Sequence, residues 1–173
     1  MPFTPFHMGP GMALKALAGR HLSLVAFGGA QVAIDIEPLV RMLRDDAVLH
    51  GPTHTYAGAL GVAVLAFPLL WLSYAGMARV WNGLIDGSMR PAWRMPSRPS
   101  VLPVVSGLLL GTFSHVAIDS IMHADMRPGW PFTDTNPTYA AISISALHTG
   151  CVAVGVIGIA VFALVRSRTG SRG

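Results

Sequence analysis

Residues 111–134 read GTFSHVAIDSIMHADMRPGWPFTD. The stretch closes an apolar run, yet it carries His115, Asp119 and His123 at successive spacings of four. On a helix this spacing predicts one stripe, each side chain a turn above the last. Two imidazoles and a carboxylate on a stripe can supply half of a metal site, because neutral His nitrogen and ionised Asp oxygen are ordinary zinc ligands. At the end of a soluble helix the same trio would simply face water. Here it sits in, or at the edge of, a segment apolar enough for a membrane, where ionisable groups are costly and mark function.

The whole composition agrees with that solvent. Of 173 residues, 52% are hydrophobic and 12% charged, whereas soluble domains carry about 25% charged residues. The length suits a single domain over residues 1–173, with a frayed polar tail at 167–173. A net charge of +4, spread through short connections, reads as topology bias and not as affinity for nucleic acid. The lone Cys151 excludes an internal disulfide. Pro2, Pro5 and Pro10, with no basic residue before them, predict that no signal peptide is present.

Outward from the quoted stretch, residues 99–118 have no Lys, Arg, Asp or Glu and predict a span, with Gly107 and Gly111 allowing close helix contact. Residues 55–78 predict another, kinked at Pro68, and residues 142–165 a third. Residues 22–43 read as a fourth long helix, interrupted by Gln31, Asp35 and Glu37. A short helix over residues 11–18 precedes them, behind His7. The expected fold is all-α: a multi-pass transmembrane helical bundle of four long spans plus the short N-terminal helix. Loops fall at HGPTH (residues 50–54), at the Pro- and Arg-rich residues 79–98 and at residues 125–139.

Lys15, Arg20, Arg79, Arg90, Arg94, Arg98, Arg166, Arg168 and Arg172 all fall on one side of these spans. Arg41, Arg44 and Arg127 fall on the other, each near an Asp. This asymmetry predicts a cytoplasmic C-terminus and polar clusters gathered towards the periplasm. Counting about 1.5 Å per residue from the basic side puts Asp35, His115 and His148 at about 21–25 Å, and Asp119 about 6 Å above His115. His7 comes to about 18 Å if its helix pairs with residues 22–43. His54 comes to about 37 Å, so HGPTH must fold inward to join them. Trp71, Trp81, Trp93 and Trp130 read as interfacial or packing aromatics.

The motifs FTPFHMGPG, VAIDIEP, HGPTHT and SHVAIDSIMHADMRP resemble the bacterial membrane-bound metal-dependent hydrolases grouped with a LexA-regulated inner-membrane protein, over residues 2–136. A more distant likeness is to the ligand order of zinc-dependent phospholipase C and P1-type nucleases. That order falls on His7, Asp35, His54, His115 with Asp119, and His123, with His148 as a further place. Those soluble enzymes end on His-x-x-x-Glu, where this chain has Val152 four residues after His148, so one or two metals are expected in place of three.

The metal candidates are therefore His7, Asp35, His50, His54, His115, Asp119 and His123, holding one or two divalent ions, expected to be zinc. Asp119, at the centre of the stripe, is placed to bridge two ions. Glu37 is either a general base or a residue supporting a ligand from behind; a strictly helical path turns it about 200° away from Asp35. Asp35 and Glu37 also suit a helix cap or a pair with Arg41, His50 and His54 suit an ordinary loop, and His148 suits a buried, hydrogen-bonded histidine. The expected activity is hydrolysis of a phosphodiester or lipid-like amphiphile at the outer face of a bacterial inner membrane. The partners are the bilayer and that small amphiphile. Intramembrane His and Asp also line ion pathways, so the competing class is a metal-ion transporter or a metal-stabilised scaffold.

Overall fold

The apolar runs fold into helices, with no strand among the described residues. The computed structural model describes residues 5–85, 94, 95, 98 and 100–169, with side chains as far as 167. Arg90, Trp93 and Arg172, the side chain of Arg168 and the end of the polar tail lie outside that set. Three helices are long and apolar enough to cross a membrane: α4 (Tyr56–Leu84), α5 (Val101–Met122) and α6 (Ile144–Thr169). Before them come α1 (Met8–Ala18), α2 (Leu24–Ile34) and α3 (Ile36–Leu43).

The expected fourth long span is the main correction. Residues 22–43 form two short helices, α2 and α3, parted at Asp35. The cause is Pro38, which has no N–H to return to the Ile34 carbonyl and crowds that turn with its ring. The Ile34 oxygen lies instead 3.3 Å from Thr53 Oγ1. With 11 residues, α2 rises about 16 Å, half the thickness of a bilayer's hydrocarbon core. A turn at Gly19–His21 folds α1 back along α2, and Lys15 Nζ closes it by donating to the carbonyls of Gly19 (2.8 Å) and Leu22 (2.6 Å). By contrast α4 runs through Pro68 and past the expected end at Ala78 as far as Leu84.

Small residues set the spacing of α2 and α5. A Cβ on Gly107 would lie 2.9 Å from the Ala26 Cβ, and one on Gly111 would lie 2.7 Å from the Ala30 Cβ. Ala26, Ala30, Ala63, Ala66, Val104 and Leu108 form the core where α2, α4 and α5 meet. Closer to the ligand-bearing end, Ile34, Ala59, Val116 and Met126 close a second core. Leu147 and Cys151 of α6 pack on Ile118 of α5. The outward faces stay apolar and exposed, with Leu65, Leu72 and Ile157 among them, as suits helices long and apolar enough to cross a membrane.

Candidate metal centre

The stripe on α5 meets α2 where α2 ends. His115 and Asp119, a turn apart, face Gln31 and Asp35, also a turn apart. His115 has close neighbours at both ring nitrogens. Its Nδ1 lies 2.6 Å from Gln31 Oε1, and its Nε2 lies 3.2 Å from both Asp35 Oδ1 and Asp119 Oδ2. Gln31 Nε2 donates to the Gly111 carbonyl at 3.1 Å, which turns Oε1 towards the imidazole. An amide oxygen only accepts, so Nδ1 carries a proton, and in the neutral ring Nε2 presents a lone pair to the two carboxylates.

His54 arrives from the loop. Pro52 opens a single 3-10 turn, Pro52–His54, and Thr55 then caps α4, its hydroxyl accepting from Gly58 N at 2.9 Å. Tyr56 N donates to the Pro128 carbonyl at 2.9 Å, which ties this turn to the loop beyond α5. The HGPTH loop thus folds inward, and His54 Nε2 comes to 3.7 Å from both Asp35 Oδ1 and Asp119 Oδ2. Behind it, His54 Nδ1 lies 3.1 Å from Thr53 Oγ1, which donates to Glu37 Oε2 at 2.5 Å. The hydroxyl proton is committed to Glu37, so the oxygen accepts from His54 Nδ1–H and Nε2 is again bare.

Asp35, His54, His115 and Asp119 are 4%, 1%, 0% and 4% exposed. Each offers a ligand atom within 4.8 Å of the others. Neither Nε2 has a hydrogen-bond partner, and neither does Asp119 Oδ1. Buried lone pairs facing buried carboxylates are unfavourable without a cation between them. Zinc-type ions hold N and O ligands at about 2.0–2.2 Å, which sets the donors of a tetrahedron about 3.3–3.6 Å apart. The 3.2 Å approaches of His115 fall just short of that spacing, and the 3.7 Å approaches of His54 are slightly wide. The residues fit a divalent metal.

His7, on the turn before α1, adds a fifth group. Its Nε2 lies 3.1 Å from Asp119 Oδ1, without hydrogen-bond geometry, and its ring meets that of His115 edge-on at 4.5 Å. The two oxygens of Asp119 therefore face different imidazoles. His123 takes another course. The helix stops at Met122 and His123 is extended (φ −116°, ψ 120°), so it leaves the stripe. Its ring lies 4.1 Å from that of His50, whose Nδ1 is 2.9 Å from Asp125 Oδ1. His50, His123 and Asp125 form a second, half-buried group. Glu37 meets the first group only through Thr53, and its Oε1 accepts from Arg41 Nε at 2.9 Å. His148 stacks on Phe6 at 4.2 Å and its Nε2 has no hydrogen-bond partner.

Outside the spans the charges are tuned by these neighbours. Burial pushes the His54 imidazole below its ordinary 6.5, against the pull of Asp35. His123 is also lowered, by burial and then by His50. For Glu37 burial acts upward, but the bonds from Thr53 and Arg41 outweigh it and hold the carboxyl below its usual range. Asp125 is held low in the same way by the backbone N–H and ring of His50 and by Leu49 N–H.

Three contributors had no role assigned from the sequence: Gln31, Thr53 and Asp125. Gln31 was visible as an amide in an apolar helix one turn before Asp35, and Asp125 as an acid two residues after His123. Thr53 carried no signal beyond its place between two candidates.

The chain belongs to the family described as Domain of unknown function (DUF4184), whose model matches residues 1–172. No curated protein and no solved structure matches it.

Proposed function

We propose that this chain is a membrane-bound metal-dependent hydrolase of the bacterial inner membrane. It is multi-pass, with its C-terminus in the cytoplasm and its buried cluster towards the periplasm. The observation that carries the reading is the convergence of two bare imidazole nitrogens, from His54 and His115, on the carboxylates of Asp35 and Asp119. Two nitrogens and two carboxylate oxygens suit zinc better than magnesium or calcium. The ligand order shared with zinc-dependent phospholipase C and P1-type nucleases supports a phosphodiester, or a related bond in a small amphiphile, as the substrate. Asp35 and Asp119 supply the negative charge that retains the ion. Asp119, facing His7 with its other oxygen, is placed to bridge to a second ion. Gln31 and Thr53 hold the two rings in the tautomer that binds metal, and Glu37 fixes Thr53 from behind. The bound metal supplies a polarising charge and brings proton loss from a water towards neutral pH.

A second reading rests on the depth of burial: all four residues are at most 4% exposed, which also suits an ion held within a transporter or scaffold. Metal analysis of detergent-purified protein, with a screen of phosphodiester and phospholipid substrates, tests both. His115→Ala and Asp119→Ala lower bound zinc well below wild type, while His21→Ala, at the opposite end, leaves it unchanged. Folded His115→Ala and Asp119→Ala proteins with full metal content would remove the metal centre. Zinc flux across proteoliposomes that Asp119→Ala abolishes, with no substrate hydrolysed, decides for the transporter.

A further inference from the structure

His50, His123 and Asp125 stand outside the buried cluster, with a geometry of their own. Asp125 Oδ2 accepts from the backbone N–H of Leu49 at 3.0 Å and of His50 at 3.1 Å, while Oδ1 faces His50 Nδ1 at 2.9 Å. An ionised carboxylate only accepts, so Nδ1 carries the ring proton and the opposite nitrogen of His50 is bare. A carboxylate backing a histidine is how proteins orient a metal-binding imidazole. The His123 ring lies 4.1 Å away at a tilt of 30°. Its backbone is pinned, with N–H donating to the Asp119 carbonyl at 2.9 Å and C=O accepting from Asn136 Nδ2 at 3.3 Å. All three residues are half-buried, and each offers a ligand atom within 4.8 Å of the others. On its inner side the His50 ring meets the His54 ring, 4.9 Å away.

We propose that His50 and His123, with Asp125 orienting His50 from behind, form an outer cation site, distinct from the buried cluster, that captures a divalent ion of the zinc type and hands it to His54. Imidazole donors select zinc, cobalt or nickel over magnesium and calcium. Partial exposure makes this the weaker and faster-exchanging site. His50, in ring contact with both His54 and His123, is the step between them. The capture role rests on the buried cluster being a metal centre; the outer site itself does not.

The test uses full-length protein in detergent, stripped with a chelator and titrated with zinc or cobalt, with bound metal and refilling rate measured. Wild type takes up a tight and a weaker equivalent. His123→Ala loses the weaker one and refills the tight one at least about tenfold more slowly, in line with the loss of a ligand or its support. His115→Ala loses the tight equivalent and keeps the weaker. Asp125→Asn retains an oxygen for the Leu49 and His50 N–H groups, so it weakens the outer site without dismantling the loop. A wild type with one equivalent that only His115→Ala removes overturns the outer site and leaves the buried centre standing. One equivalent that only His123→Ala removes does the reverse. Unchanged refilling in His123→Ala and Asp125→Asn overturns the capture role.

Discussion

His115 is held at Nδ1 by Gln31 of α2, so its orientation depends on a residue that need not touch a metal. Gln31→Leu removes the acceptor for Nδ1–H and frees the ring to take the wrong tautomer. Metal affinity is expected to fall by about 10–100-fold, measured by competition with a chromophoric chelator, while Gln31→Glu, which keeps an acceptor, loses less. Glu37 gives a pH signature. Its carboxyl is held below the ordinary 4.5 in the folded chain. A carboxyl depressed by folding contributes stability that is complete above its unfolded value and is lost as pH falls through the folded one. Thermal unfolding in detergent should therefore show an acid loss below about pH 4.5 that Glu37→Gln reduces; an unchanged profile would mean the Thr53 bonds add nothing. At this scale the sequence was legible where one helix carries the pair, as with His115 and Asp119. It misled at His123, because the rule of four holds only while the helix continues, and α5 stops one residue earlier. The roles of Gln31, Thr53 and Asp125 were hidden for another reason. Their roles depend on partners 84, 1 and 75 residues away, and only the second of those separations is local.

Between elements, the contact of α2 with α5 decides whether the cluster forms. Gly107→Ala forces a methyl against Ala26 and should destabilise by about 1–3 kcal/mol, as overpacking does. Gly111→Ala meets Ala30 and also shifts the carbonyl that orients Gln31, so it should lower metal retention as well as melting temperature. Gly76→Ala on α4 meets nothing within 4 Å and serves as the control, neutral or stabilising by up to about 1 kcal/mol. Equal melting temperatures for Gly107→Ala and Gly76→Ala would contradict the close packing. The sequence announced this contact through its glycines. It did not announce the break at Asp35: a proline in the first turn of a helix is well tolerated, so Pro38 fits both one kinked span and the two helices observed.

Across the whole molecule, one end gathers basic residues and the other gathers ligands. Ser23 N donates to the Pro103 carbonyl at 2.9 Å, which puts the Arg20 turn beside the start of α5. Since α4 and α6 run opposite to α5, their C-terminal parts, with Arg79 and Arg166, lie towards that same end. The arginine rule then predicts that a reporter fused after Gly173 reads cytoplasm and one at Asn136 reads periplasm. A periplasmic signal from Gly173 would invert the molecule and turn the cluster to the cytoplasm.

The order of the ligands along the chain has a consequence for biosynthesis. Chains are made from the N-terminus, so Asp35 and His54 reach the membrane before α5 has been translated. Until His115 and Asp119 follow, Asp35 has no imidazole from α5 to face. When they arrive, α5 brings a second carboxylate to within 3.2 Å of the same His115 nitrogen. The last act of assembly thus sets two buried carboxylates side by side at one imidazole, a step that completes the cluster only after α1 to α4 are in place.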